Sequence, residues 1–284
     1  MTEEYERGYR DGLWYGKVNT YGELVIEAFQ PDVILPGYTI PELMKIAIEQ
    51  KKNELKKLLT VDEVYSRIVF SLENNLPLSL VRLGDGEGIA LGQGYCKTEA
   101  ELAQYDFLEY AGISVPDYQA RDELAGAVRE ADIVGIPTNL MPDFQPLVSK
   151  ALACNGINVA SLTLTSANIH QYLFRTGYFK KILGKRNVRA LLVGNKAGKL
   201  AEVLQYYCNI AGVISPVNGV NSIPTVLKQL KNYHFNLLLV AAGMPAVIIS
   251  SKAAKLTGCT ALDIGHLADQ IITTRTLDLK SPVP

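Results

Sequence analysis

Between residues 77 and 263, short apolar runs recur. They are separated by stretches in which apolar positions return every three or four residues. The runs predict strands at 77–83, 131–136, 157–162, 188–193, 212–215, 236–241 and 259–263. They do not alternate apolar with polar, so both faces of each strand should be covered, as in a parallel sheet. The stretches between them predict helices at 121–130, 143–153, 198–209, 221–232 and 245–256. Upstream, Thr39-Ile-Pro-Glu42 and Thr60-Val-Asp-Glu63 have the form of capping boxes. They predict helices at 41–58 and 61–74, the second with Val64, Ile68 and Leu72 along one face.

Strand–helix alternation over roughly 200 residues implies a doubly wound α/β fold. The expected organisation is an N-terminal helical extension, residues 1–60, followed by one catalytic α/β domain with a mostly parallel sheet, residues 61–284. In the extension Gly8, Gly12 and Gly16 recur every fourth residue, with Tyr5, Tyr9 and Trp14 between them. On a helix these glycines share one smooth face, suited to contact with a second helix or a second copy of the chain. A partly ordered arm explains them equally well, since glycine weakens helices.

Composition narrows the function classes. The chain has 284 residues, with 28 basic and 29 acidic side chains and a formal charge of −1. A nucleic-acid protein relying on bulk charge would show a basic excess. Apolar residues make up 48% and charged residues 20%, a globular rather than disordered balance. Cys96, Cys154, Cys208 and Cys259 are widely spaced, with no CxxC pair, which argues for reduced thiols and against a zinc knuckle or disulfide frame. No apolar run approaches the ~20 residues of a membrane span, and the polar, charged start is no signal peptide. A cytoplasmic location is expected.

Ligands of doubly wound folds bind at the carboxyl ends of the strands. At the first such junction a buried strand runs into Arg82-Leu-Gly84-Asp85-Gly86-Glu87-Gly88. The glycines are expected to make a sharp turn open to a ligand. On that turn Asp85 and Glu87, two residues apart, would point the same way and repel each other unless a cation intervenes. A hard Mg²⁺ or Mn²⁺ ion, completed by a nucleotide pyrophosphate, resolves the repulsion. Arg82 is placed to hold a phosphate or the carboxylates. A glycine-rich turn with two solvated acids is the plain alternative.

Other phosphate motifs fail or weaken. The GxGxxG spacing breaks at Ile89 or Leu91. Gly194-Asn-Lys196-Ala-Gly-Lys199-Leu200 imitates a P-loop but is one residue short and lacks its hydroxyl, although Lys196 and Lys199 near a helix start can draw an anion. Gly243-Met-Pro245 opens a helix after the 236–241 strand, on the same edge. The last strand runs into Asp263-Ile-Gly-His266, which puts His266 where a metal ligand or phosphate contact belongs. His170 and His234 carry no such placement and are expected to be structural.

The strings Arg82-Leu-Gly-Asp-Gly-Glu87 and Ala261-Leu-Asp-Ile-Gly-His266, with a strand–Gly–helix element between them, resemble the GT-D-type glycosyltransferases, a family first known as a bacterial domain of unknown function. The likeness runs from about 76 to 268. It implies a Rossmann-like fold and a hexosyltransferase-like reaction, moving a sugar from a nucleotide-diphosphate sugar, with a UDP sugar favoured, to a glycan or glycoconjugate acceptor. It makes Asp85 and Glu87 the DxE pair holding Mn²⁺ or Mg²⁺, with His266 completing the metal edge. Arg82, Gly84, Gly86, Gly243 and Lys196 would face the donor. Ile214 to Asn221 matches the segment opening the preceding helix. The family's Gly-Pro-Thr-Ala-like turn is Gly-Met-Pro-Ala here, and the acid that often follows the histidine is displaced to Asp269.

In an inverting reaction a carboxylate takes the acceptor proton. Glu87 and Asp263 both qualify. Tyr95, Tyr105, Tyr110 and Tyr118 offer aromatic faces for an acceptor groove or belong to a core. Two other functions fit parts of the pattern: a metal-dependent phosphodiesterase or nucleotidase, and a non-catalytic nucleotide-binding scaffold that self-associates through the N-terminal arm.

Overall fold

The computed structural model describes residues 7–9, 11, 12, 16, 36–98, 116–138 and 144–278. Tyr5, Trp14, Tyr105 and Tyr110 lie outside them. The chain forms two compact units, Met1–Lys56 and Lys57–Pro284.

In the first unit Gly8, Gly12 and Gly16 are helical, and a side chain built on any of them would meet nothing within 4 Å. Helix α1 (Ile40–Gln50) starts at Thr39 with the expected capping box: Thr39 N–H donates to Glu42 Oε2 at 2.7 Å, and Glu42 N–H returns to Thr39 Oγ1. The predicted continuation to 58 does not form. The helix breaks into a 3₁₀ turn at Lys52–Glu54. No residue of α1 is buried, and a helix without a packed face has little beyond propensity to extend it.

The second unit carries the strands β1 (Leu78–Arg82), β2 (Ile133–Ile136), β3 (Leu164–Ser166), β4 (Arg189–Gly194), β5 (Asn209–Ile214), β6 (Leu237–Ala241) and β7 (Thr260–Asp263). They form one sheet in the order β3-β2-β1-β7-β6-β4-β5, every neighbouring pair parallel. The doubly wound α/β class expected from the apolar runs is the observed one. Alternate strand residues serve opposite faces: Leu238 and Val240 of β6 join one core, Leu237 and Leu239 the other.

Among the described residues, helices α3 (Asp85–Gly92), α4 (Tyr118–Glu130), α5 (Phe144–Cys154), α9 (Ile223–Leu230) and α10 (Pro245–Thr257) cover the first face. Helices α2 (Val61–Asn74), α6 (Ile169–Arg175), α7 (Tyr178–Leu183), α8 (Ala197–Leu204) and α11 (Leu267–Thr274) cover the second. Helix α2 occupies the predicted span, and its Val64, Ile68 and Leu72 are buried. Its N-terminus is closed by Thr60 and Glu63 in a reciprocal capping box.

Several boundaries differ from expectation. Residues 157–162 are not a strand. Asn158 Oδ1 accepts from Ala160 N–H and turns the chain into a 3₁₀ segment, Val159–Ser161. The strand forms later, at β3, where Leu59 joins its edge through Leu59 N–H to Leu164 O at 2.7 Å. Helix α8 stops at Leu204, and β5 begins at Asn209, three residues earlier than predicted. Helices α3, α6, α7 and α11 have six to eight residues, too short for a periodic signal. Cys96 and Cys154, distant in sequence, bring their sulfurs to 3.6 Å, and all four thiols are free.

This winding determines where a ligand can enter. The helices after β1 and β6, α3 and α10, lie on the first face. Helix α11, after β7, lies on the second. The chain therefore parts above β7, and a crevice opens at its carboxyl end.

Two substitutions separate core from cap. Leu239→Ala, at a side chain 1% exposed in the central sheet, should cost about 2–5 kcal/mol of unfolding free energy. Thr60→Ala should cost about 1 kcal/mol. Urea denaturation should give midpoints in that order.

Candidate active site at the carboxyl ends of β1 and β7

Both motifs singled out in the sequence converge on this crevice. Their local geometry differs from expectation. Gly84-Asp85-Gly86-Glu87-Gly88 is not a ligand-cradling turn. Asp85 and Glu87 are the first and third residues of α3. Helical neighbours two apart do not face each other, so the two carboxylates diverge. Asp85 is exposed, and its Oδ1 accepts from Gly86 N–H at 2.9 Å. Glu87 turns back and accepts from Gly84 N–H at 2.8 Å, one half of a capping box whose other half glycine cannot supply. The amides of Gly84 and Gly86, expected to face a phosphate, thus serve these two carboxylates. The glycines answer a packing need instead. A Cβ at Gly88 would lie 2.7 Å from Val148 Cγ2, so glycine there lets α3 lie close against α5.

Glu87 faces a different acid. Burial pushes its carboxyl pKa up, and the charge of Asp263 adds to the shift. The Gly84 and Glu87 backbone amides and Arg82 oppose it. The carboxylate pair that tertiary structure creates is therefore Glu87 with Asp263, from α3 and β7.

Arg82 holds Asp263 in place. Its Nε donates to Asp263 O and its Nη2 to Asp263 Oδ1, both at 3.0 Å. Its Nη1 lies 3.2 Å from Ala167 O and 3.0 Å from His170 Nδ1. The side chains of Arg82 and Asp263 are 16% and 5% exposed, so the ion pair is largely withdrawn from water. Its geometry must offset the desolvation of both charges. Gly265 makes room: a Cβ there would lie 2.0 Å from Arg82 Nη2, and its φ of +43° is one that side-chain-bearing residues rarely adopt. Gly265 N–H also donates to Asp263 Oδ1 at 3.1 Å. Arg82 is thus turned inward, toward the carboxylate, and each of its three nitrogens has an acceptor in the protein.

His170, expected to be structural, belongs to this cluster. It comes from α6, after β3, and is buried. Burial, then the charge of Arg82, lower its pKa to about 3, so it stays neutral and accepts from the guanidinium. No sequence signal marks it, because its position depends on β3 lying two strands from β1. His266 caps α11, is exposed, and is close enough to His170 to contribute to its shift. His234 is exposed before β6 and takes no part.

The remaining candidates lie along the same edge. Gly243 sits between β6 and α10, exposed, with φ +61°. Lys196 caps α8 and pairs with Asp269 Oδ1 of α11 at 2.5 Å. The displaced acid therefore neutralises the lysine expected to face an anion.

The donor set can be tested for a metal. Among the described residues no three His, Cys, Asp or Glu side chains gather into a cage. The exposed carboxylate of Asp85 and the exposed His266 on this edge fit a hard ion only if substrate oxygens and water fill most of its shell, an arrangement common for Mg²⁺.

A model of the GT-D fold-like domain matches residues 59–271. The chain belongs to this GT-D-like family. No curated protein matches it. Among solved structures, the highly conserved domain of unknown function 1792, described as having a distinct glycosyltransferase fold, aligns with a TM-score of 0.57 at 16% identity, over 80% of this chain and 85% of that one. A selenomethionine-substituted structure of domain 1792 gives 0.55 at 15%, over 77% and 82%. A domain 1792 glycosyltransferase from Streptococcus sanguinis gives 0.52 at 14%, over 79% and 87%. These likenesses establish a glycosyltransferase fold, and the family assignment agrees with the α/β architecture. In this GT-D-like chain, no described helix is long and apolar enough to cross a membrane.

Two outcomes test the cluster. Gly265→Ala displaces Arg82 and strands the Asp263 charge, so stability should fall by about 3 kcal/mol in chemical denaturation. His170 is held neutral when folded but takes a proton near pH 6.5 when unfolded. Its contribution to stability is therefore full above pH 6.5 and is lost as pH falls toward 3. His170→Asn should flatten the stability–pH slope in that window, read from urea midpoints.

Proposed function

We propose that this GT-D-like chain is a metal-dependent glycosyltransferase. It transfers a hexosyl unit from a nucleotide-diphosphate sugar, a UDP sugar, to a glycan or glycoconjugate acceptor in the cytoplasm. The observation that supports this most is the pairing of an exposed Asp85, at the start of α3, with the partly buried Glu87–Asp263–Arg82 cluster beside it in one crevice.

In this proposal Asp85, with His266 across the crevice, holds Mn²⁺ or Mg²⁺ together with the donor diphosphate. The ion, when bound, neutralises charge growing on the leaving diphosphate. The chain's own groups do the rest. Glu87 takes the acceptor proton, since its raised pKa brings it nearer to working pH. Asp263 is a poorer base, because Arg82 and Gly265 N–H already engage its carboxylate. It orients Glu87 and Arg82 instead. The α10 N-terminus beyond Gly243 offers N–H donors toward the phosphates.

UDP binding by calorimetry should strengthen markedly when Mn²⁺ is added. Asp85→Asn should lose that metal dependence and reduce turnover, read as nucleotide release from UDP sugars, by about a hundredfold or more while unfolding normally. Normal turnover in Asp85→Asn would refute the metal assignment.

A further inference from the structure

The ends of α3 and α5 meet on the first face of the sheet, and a cysteine stands at each. Asn155, directly after α5, is buried, and its Nδ2 donates at 2.8 Å both to Leu91 O of α3 and to Ala151 O of α5. One amide thus ties the two helix ends together. Cys154 is the last residue of α5 and is exposed. Cys96 lies in the turn after α3 and is half-buried. Its N–H donates to the carbonyl of Gly92, the last residue of that helix, at 2.8 Å. The two sulfurs stand 3.6 Å apart, although 58 residues separate them along the chain.

The other thiols have different surroundings. Cys259 is buried, and the Cys208 sulfur lies against Leu204 O. Burial pushes both thiols up to about 11, so they stay protonated and unreactive. Cys96 and Cys154 are set apart by contact and by access. Burial raises the Cys96 thiol and the adjacent Cys154 adds to the shift, while the charges of Lys150 and Lys97 oppose it. Cys154, exposed, meets an oxidant from solvent first, and Cys96 stands behind it as the second thiol. A disulfide needs about 2.05 Å between sulfurs. The remaining gap of about 1.5 Å is within reach of side-chain rotation at the two cysteines.

We propose that Cys96 and Cys154 form a redox-sensitive pair, open in reducing surroundings and closed to a disulfide by a hydroperoxide, which fastens the exit of α3 to the end of α5. In the first step the Cys154 thiolate attacks a peroxide oxygen. The S–O bond forms and the O–O bond breaks. The sulfur is oxidised to a sulfenic acid, and the departing hydroxide takes up the Cys154 proton as water. In the second step the Cys96 sulfur attacks the Cys154 sulfur. The S–S bond forms and the S–O bond breaks, and the hydroxide released takes up the Cys96 proton as a second water. A dithiol reverses the change by thiol–disulfide exchange. The bond closes a long chain loop and so restricts the unfolded state more than the folded one. It also fastens the far end of the helix whose first turn carries Asp85 and Glu87. This inference does not depend on the transferase proposal.

The test treats the full-length folded protein with a small excess of hydrogen peroxide, then unfolds it and alkylates the thiols that remain. Two of the four cysteines should escape alkylation, and the intact mass should fall by two hydrogen atoms. The tryptic peptides 83–97 and 151–175 should be joined, and dithiothreitol should separate them. The urea midpoint should be higher for the oxidised protein than for the reduced one. Cys154→Ser should lose both the link and this shift, whereas Cys208→Ser should keep them. In Cys96→Ser, peroxide should leave a sulfenic acid on Cys154 that dimedone traps. Alkylation of all four cysteines, a bond to Cys208 or Cys259, or a Cys154–Cys154 bond between two chains would overturn the pair.

Discussion

Arg82 and Asp263 sit at the carboxyl ends of the two strands in the middle of the sheet, and neither charge is tolerable there without the other. Their ion pair is largely withdrawn from water, so each side chain costs several kcal/mol to desolvate and recovers it from the partner together with Ala167 O, His170 and Gly265 N–H. The surroundings follow from that demand. Gly265 has no side chain because the guanidinium occupies the space. His170 stays neutral because a cation lies against it. Ala167 turns its carbonyl toward the same group. What remains is a rigid floor of balanced charge, on which Glu87 is the acid least well compensated.

That imbalance sets Glu87 apart from its neighbours. Glu87 feels burial and the negative charge of Asp263 more than it feels Arg82. Asp85, two residues closer to the helix start, is exposed. Two acids separated by a single glycine therefore have different environments, one facing solvent, the other facing the protein. Helical geometry divides them, since a turn of 3.6 residues sends positions two apart to different sides. The opposite edge of the sheet shows the contrast. There polar side chains form closed clips, such as Ser79 with Asp132 and Asn236 with the 187–189 backbone.

The fold is legible in the sequence because burial on both faces of a parallel strand leaves an apolar run that few other structures require. The runs at 188–193 and 236–241 match β4 and β6 almost residue for residue. The capping threonines at 39 and 60 mark two helix starts because their bonds are local. Glycine proved harder to read. Gly84, Gly86 and Gly88 suggest a sharp turn, whereas they belong to a helix start and, at Gly88, to close contact with Val148. A lone sequence does not distinguish a glycine needed for its backbone freedom from one needed for its missing side chain.

The chain by itself therefore determined the layer architecture and placed Asp85, Glu87, Asp263 and His266 on one edge of the sheet, because periodicity and motif spacing are properties of neighbours in sequence. Only tertiary structure decided which charges meet. The partner of Glu87 is Asp263, far along the chain, and not Asp85 beside it. The partner of Arg82 includes His170, brought in from β3. Lys196 meets Asp269 across two helices. Strand order sets these encounters, and strand order comes from packing the whole sheet, which no local pattern encodes.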